Sequence, residues 1–150
     1  MNTGRFDVLL VEDNPDDATF TLGALHKANI ALRVAVVEDG VAALDFLFCT
    51  GTHAARAPGV PPLVLLDLDL PKLGGLEVLR RMKADPRTRG VPVVVLTSSS
   101  ERRDVREAYA RGANSYIVKP QEYAELVEKL GDLLRYWLQV DEGVRDRTWQ

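Results

Sequence analysis

The sequence predicts an α/β fold in which five parallel strands, in the order 2-1-3-4-5, are doubly wound with helices. Three observations carry that prediction. Five short β-branched runs alternate with five stretches of helical periodicity along the 150 residues. The third and fourth runs, Leu63-Val64-Leu65-Leu66 and Val93-Val94-Val95-Leu96, are apolar without a break, as strands buried on both faces of a parallel sheet are. Repeated strand–helix units also require right-handed crossovers, and five of them suit the flavodoxin-like (βα)5 order.

Each element has its own signal. The strands are expected at Phe6–Val11, Leu32–Val37, Pro62–Asp67, Pro92–Leu96 and Ser115–Val118. Asn14-Pro15-Asp16-Asp17 supplies an N-cap, a proline at the first helical position and acids in the first turn. Phe20 or Ala18, Leu22 and Leu25 then form the apolar stripe of helix 1. Helix 2 follows Asp39-Gly40 through Val41, Leu44, Leu47 and Phe48. Helix 3 runs from Gly75 to Ala84 with Leu76, Leu79 and Met82 or Lys83 on one side, and Asp85-Pro86 ends it. In helix 4 a capping box of Ser98 and Glu101 is expected, with Val105, Ala108 and Tyr109 inward and Gly112 as the stop. Helix 5 has the strongest period, from Tyr123 through Leu126, Val127, Leu130, Leu133, Leu134 and Trp137 to Leu138.

Composition bounds the function. At 46% hydrophobic and 27% charged residues, a chain of this length makes one globular domain. Residues 1–138 are expected to form the folded unit, and 139–150 a polar interaction tail that carries Trp149. Net charge is −3 with acids and bases interspersed, so no basic face for nucleic acid is expected. No apolar run approaches membrane-spanning length, and the lone Cys49 fits a reducing cytoplasm. His26 and His53 lack partners at metal-ligand spacing.

In this topology a ligand site lies beyond the carboxyl ends of the strands, where the order reverses between strands 1 and 3. The residues at those ends are Glu12-Asp13 and Asp67. Carboxylates about 4 Å apart repel by about 4 kcal/mol per pair at an effective dielectric of 20, so such a cluster is kept for a proton or a hard cation. Oxygen ligands without His or Cys favour Mg²⁺ or Ca²⁺, and a small ligand set completed by water and phosphate oxygens favours Mg²⁺. Lys119 follows strand 5 and Thr97 ends strand 4, which puts a cation and a hydroxyl on the same rim as Asp67. A carboxylate that attacks phosphorus forms an aspartyl phosphate, and it needs no additional base.

These segments closely resemble the receiver domain of two-component response regulators over roughly residues 6–138. The resemblance is carried by Val8-Leu9-Leu10-Val11-Glu12-Asp13-Asn14, by Leu65-Leu66-Asp67-Leu68-Asp69-Leu70-Pro71 with Gly74-Gly75, by Val95-Leu96-Thr97-Ser98, and by Gly112 through Lys119-Pro120. It implies Mg²⁺ (or Mn²⁺) held by Glu12, Asp13, Asp67 and the backbone carbonyl of Asp69. It implies that Asp67 accepts a phosphoryl group from a sensor histidine kinase, with Thr97 and Lys119 binding that group, and that the chain is a phosphoacceptor switch rather than a turnover enzyme. It further implies a cis Lys119–Pro120 bond, a switch formed by Thr97 and Tyr116, and tuning of dephosphorylation by Asp69 and Ser99. The long loop at 49–61 and the aromatic Tyr136-Trp137-Leu138 are similar to small stand-alone regulators paired with bacterial and cyanobacterial phytochrome kinases, which implies red or far-red light upstream.

Only about a dozen residues follow helix 5, so the readout is expected to be a protein surface and not an output domain. Tyr123, Tyr136, Trp137 and Trp149 predict a homodimer through the helix 4–strand 5–helix 5 face and the tail; the alternative is that Trp137 and Trp149 fold back on their own subunit. A rival reading is a phosphatase of the haloacid dehalogenase type, which also spaces two aspartates as Asp67 and Asp69 are spaced. That pair normally follows the first strand, whereas here it follows the third. A flavin module of the same topology would need Gly, Ser and Thr donors after strand 1, where this chain has acids.

Overall fold

The computed structural model describes residues 5–141. Its sheet has the order β2-β1-β3-β4-β5, all parallel. The strands are β1 (Val8–Val11), β2 (Val34–Val37), β3 (Val64–Leu66), β4 (Val93–Thr97) and β5 (Ser115–Val118). The helices are α1 (Pro15–Ala28), α2 (Gly40–Phe48), α3 (Gly75–Ala84), α4 (Arg102–Ala110) and α5 (Tyr123–Arg135), and α5 runs on into a wider π turn at Tyr136–Val140.

Alternation along the central strands divides the core in two. Leu9, Val11, Val64, Leu66, Val93 and Val95 face α2 and α3, where Phe46, Leu47, Leu79 and Met82 meet them. Val8, Leu10, Leu63, Leu65, Val94 and Leu96 face α1 and α5, against Leu25, Leu126 and Leu130. Strands sandwiched between two helical layers must be apolar at every position, which is why β1, β3 and β4 are buried throughout. The edge strands β2 and β5 are only partly covered.

Several helix faces differ from the sequence reading. In α1 the buried residues are Thr21, Ala24 and Leu25, while Phe20 stands 38% exposed against the ring of Tyr123, which is 39% exposed. In α2 the stripe is Ala43, Phe46 and Leu47, and Val41 lies outside. α4 buries only Ala108 fully and leaves Tyr109 exposed. The sequence offers more apolar residues than these short helices bury, so docking angle chooses among them. The expected Ser98–Glu101 box is also replaced. Helix α4 starts at Arg102, and the Ser99 hydroxyl donates to Asp104 Oδ2 at 2.5 Å while accepting from the Glu101 N–H. The Asn14 cap forms as expected, on the N–H of Asp17, and Asp39 caps α2 on the N–H of Ala42.

The loop after α2 is built rather than slack. Arg56 donates to the carbonyls of Phe46 and Gly59 and lies 4.2 Å over the Phe46 ring, with His53 edge-on to the same ring. Gly112 ends α4 with φ +105°, and a Cβ there would meet Lys83 Cγ at 2.7 Å. Trp137 packs partly against the α1–α5 core, edge-on to Tyr136 at 4.9 Å, so this residue does fold back on its own subunit. Trp149 and the rest of the 142–150 segment lie outside the described residues.

Candidate functional site

Strand register builds the site. Val11 pairs with Leu66, so the next residues, Glu12 and Asp67, leave the sheet side by side. The Glu12 N–H still donates to Val37, and the Asp67 N–H to Val11, which holds both at the carboxyl edge. Thr97 pairs with Val118, and the Lys119 N–H donates to the Thr97 carbonyl at 2.8 Å, which places Lys119 on the same rim. Gly75 sets the far wall: α3 begins so close to the acceptor strand that a Cβ at this position would lie 2.4 Å from the Asp67 carbonyl oxygen.

The predicted carboxylates converge. Oxygens of Glu12, Asp13 and Asp67 lie within 4.8 Å of one another; Glu12 is 2% and Asp67 8% exposed, whereas Asp13 faces solvent. Lys119 Nζ donates to Glu12 Oε1 at 2.5 Å, to Asp67 Oδ2 at 3.3 Å and to Asp17 Oδ2 at 3.3 Å. Lys119 therefore reaches Asp67 as expected but sits nearest Glu12. Burial pushes the Glu12 carboxyl up, its bond to Lys119 pulls it back and the charge of Asp67 raises it again, to about 7. For Lys119, burial works downward, but the bond to Glu12 and the charges of Asp67, Glu12 and Asp17 hold the ammonium above its ordinary value. The cluster thus contains more negative charge than one lysine neutralises.

The donor set fits a small hard cation: all oxygen, three carboxylates and an open side at Asp13. Asp69 is exposed in the turn after β3, and its N–H donates to Asp67 Oδ1 at 3.3 Å. Thr97 is 1% exposed, and its hydroxyl has no hydrogen-bond partner among the described residues, which suits a donor kept for an anion. Tyr116 is half-buried, and its hydroxyl donates to the Ser99 carbonyl at 2.9 Å. Tyr116, Ser99 and the start of α4 therefore form one connected path, through Asp104. The expected cis Lys119–Pro120 bond is not found: no peptide bond among the described residues is cis. Trans is favoured by about 0.5–1 kcal/mol at X–Pro bonds, and residue identity alone does not override it. Asp17, read from the sequence only as a first-turn helix acid, is the site residue that sequence reasoning missed. The signal available was its place three residues beyond Asn14, on the turn that faces strand 5.

Comparison with known proteins agrees with this fold. The response regulator receiver domain matches residues 8–131. The probable methanogenesis regulatory protein FilR2 of Methanothrix harundinacea is 41% identical over 89% of this chain and 84% of its own length. Response regulator Rcp1 of Synechocystis is 36% identical over 88% of each, and its Mn²⁺-bound crystal structure superposes with a TM-score of 0.81 at 34% identity, covering 91% of this chain and 97% of that one. The phosphorylated cyanobacterial phytochrome response regulator RcpA gives a TM-score of 0.84 at 34% identity, over 93% of this chain and 98% of that one. The chain belongs to the response regulator receiver family, whose function is to take a phosphoryl group on aspartate from a histidine kinase. The particular members it is similar to include small regulators named for phytochrome signalling. Nothing in these likenesses favours the dehalogenase-type phosphatase.

Proposed function

We propose that this chain is a response regulator that accepts a phosphoryl group on Asp67 and signals through the α4–β5–α5 face. The observation that carries it is the convergence of Glu12, Asp13 and Asp67 oxygens within 4.8 Å, with Lys119 bound to the acceptor carboxylate. An Asp67 oxygen attacks phosphorus as the phosphorus–nitrogen bond of the kinase phosphohistidine breaks, and the electron pair leaves on the imidazole nitrogen. Lys119 turns from Asp67 and Glu12 to a phosphoryl oxygen, and the Thr97 hydroxyl donates to a second. Mg²⁺ or Mn²⁺ held by Glu12, Asp13, Asp67 and the Asp69 carbonyl would neutralise charge on the carboxylates and the transferred group. Asp69, whose N–H donates to Asp67 Oδ1, and Ser99, two residues beyond Thr97, set how readily water reaches the acyl phosphate.

The readout starts at Thr97. Its movement toward the phosphoryl group frees space for Tyr116, which already packs against the core with its hydroxyl on the Ser99 carbonyl, to settle further inward and so repack α4. Tyr109, Tyr116, Val118, Tyr136 and Trp137 line a groove of about 610 Å³ on that side, which supports a homodimer through that face. The relatives named for phytochromes support a phytochrome histidine kinase as the upstream partner, and among the described residues no helix is long and apolar enough to cross a membrane.

Intact mass after incubation with acetyl phosphate and Mg²⁺ tests the reading. Wild type is expected to gain one phosphate and Asp67→Asn none; an adduct on both or on neither overturns it. The partner is checked separately by phosphotransfer from a phytochrome kinase, with a rate that differs between red and far-red illumination.

A further inference from the structure

Lys119 donates to three carboxylates, and only two of them belong to the cation cluster. Glu12 and Asp67 are shared with that cluster; Asp17 is not. Asp17 is anchored independently, because its backbone N–H is capped by Asn14 Oδ1 at 3.0 Å in the first turn of α1. Its side chain is 47% exposed, against 2% for Glu12 and 10% for Asp67, and it lines one cleft of about 400 Å³ with Lys119, Ser98 and Pro120. A divalent cation held by Glu12 and Asp67 would weaken the pull of both carboxylates on the ammonium. The carboxylate at 3.3 Å on α1 then remains as its anion.

We propose that Asp17 is a positioning residue that keeps Lys119 at the lip of the acceptor in the cation-loaded pocket, with an N–H free for the incoming phosphoryl oxygen. The proposal rests on Asp67 being the acceptor and Lys119 its phosphoryl-binding cation. A bare electrostatic role would act in the opposite direction: one fewer negative charge beside a dianionic donor speeds the reaction.

The test is an intact-mass time course with acetyl phosphate and Mg²⁺, run on D17N and D17E in the wild-type and K119Q backgrounds, with thermal melts of each. D17N is expected to slow adduct formation roughly two- to five-fold, the range of a partly exposed ion pair. D17E is expected to recover most of that loss, and D17N to change nothing in K119Q. A D17N protein as fast as wild type, or faster, overturns the proposal; so does equal slowing in both backgrounds, which would mean that Asp17 does not act through Lys119. Should D17N melt below the assay temperature, D17S carries the same comparison. A wild type without adduct removes both this proposal and the reading beneath it, whereas a phosphorylated wild type with an unaffected D17N removes this one alone.

Discussion

Two lysines at opposite ends of the sheet make the same number of bonds and do different work. Lys119, at the carboxyl edge, donates to three carboxylates. Lys83, at the end of α3, donates to the carbonyls of Arg89 and Val91 and to Asn114 Oδ1, at 3.2, 2.9 and 3.1 Å. Neutral acceptors satisfy the geometry of an ammonium but not its charge, so burial pulls Lys83 below its ordinary value while the carboxylates lift Lys119 above it. The Lys83 arrangement is a clamp. Asn114 also accepts the Val93 N–H, so the clamp ties α3 to the entries of β4 and β5. The Lys119 arrangement is a charge balance that a cation or a phosphoryl group can rearrange. Two lysines of similar burial thus separate a fixed joint from a switch by the charge of their partners alone.

The contrast can be broken experimentally. Lys119→Met leaves Glu12 and Asp67 without their counter-ion and should cost about 3 kcal/mol of unfolding free energy without metal, a loss that Mg²⁺ largely restores. Chemical denaturation with and without Mg²⁺ measures both arms. Lys83→Met should cost about 1.5 kcal/mol through unsatisfied acceptors, with no restoration by Mg²⁺ and no change in phosphorylation rate. A Mg²⁺-sensitive Lys83 variant would erase the distinction.

The pH dependence follows from Glu12, whose folded value is raised from 4.5 to about 7. Between those values the folded state holds a proton that the unfolded chain has released, so this contribution is full below about 4.5 and lost as pH rises toward 7. Metal-free wild type should therefore lose stability relative to Glu12→Gln across that window, with a slope of at most about 1.4 kcal/mol per pH unit. Paired denaturation curves at several pH values spanning that window check it. The smallest effect is expected for Asp13→Asn. Because Asp13 is exposed, relief of repulsion should stabilise the metal-free fold by no more than about 1 kcal/mol, while Mg²⁺-dependent phosphorylation is lost.

Much of the site was legible because parallel sheets put function at strand ends. Once β1, β3, β4 and β5 are recognised as apolar runs, Glu12, Asp67, Thr97 and Lys119 are the residues that follow or close them, and strand register does the rest. Helix faces were less legible. Phe20, Val41 and Tyr109 are apolar at helical spacing yet stand exposed, because short helices docked on a twisted sheet bury only part of their apolar residues. The Arg56 clasp was illegible too, since its acceptors are backbone carbonyls that any residue could supply.

By itself, then, the sequence determined the alternation of elements, the two-sided burial of the central strands and which side chains reach the acceptor end. Those are consequences of local periodicity and chain topology. Only the tertiary structure decided that Lys119 sits nearest Glu12, that Asp17 joins it from α1 and that Tyr116 is tied to Ser99. Each of these depends on distances between side chains brought together from separate elements. A small shift exchanges one partner for another, and no pattern along the chain encodes distance at that scale.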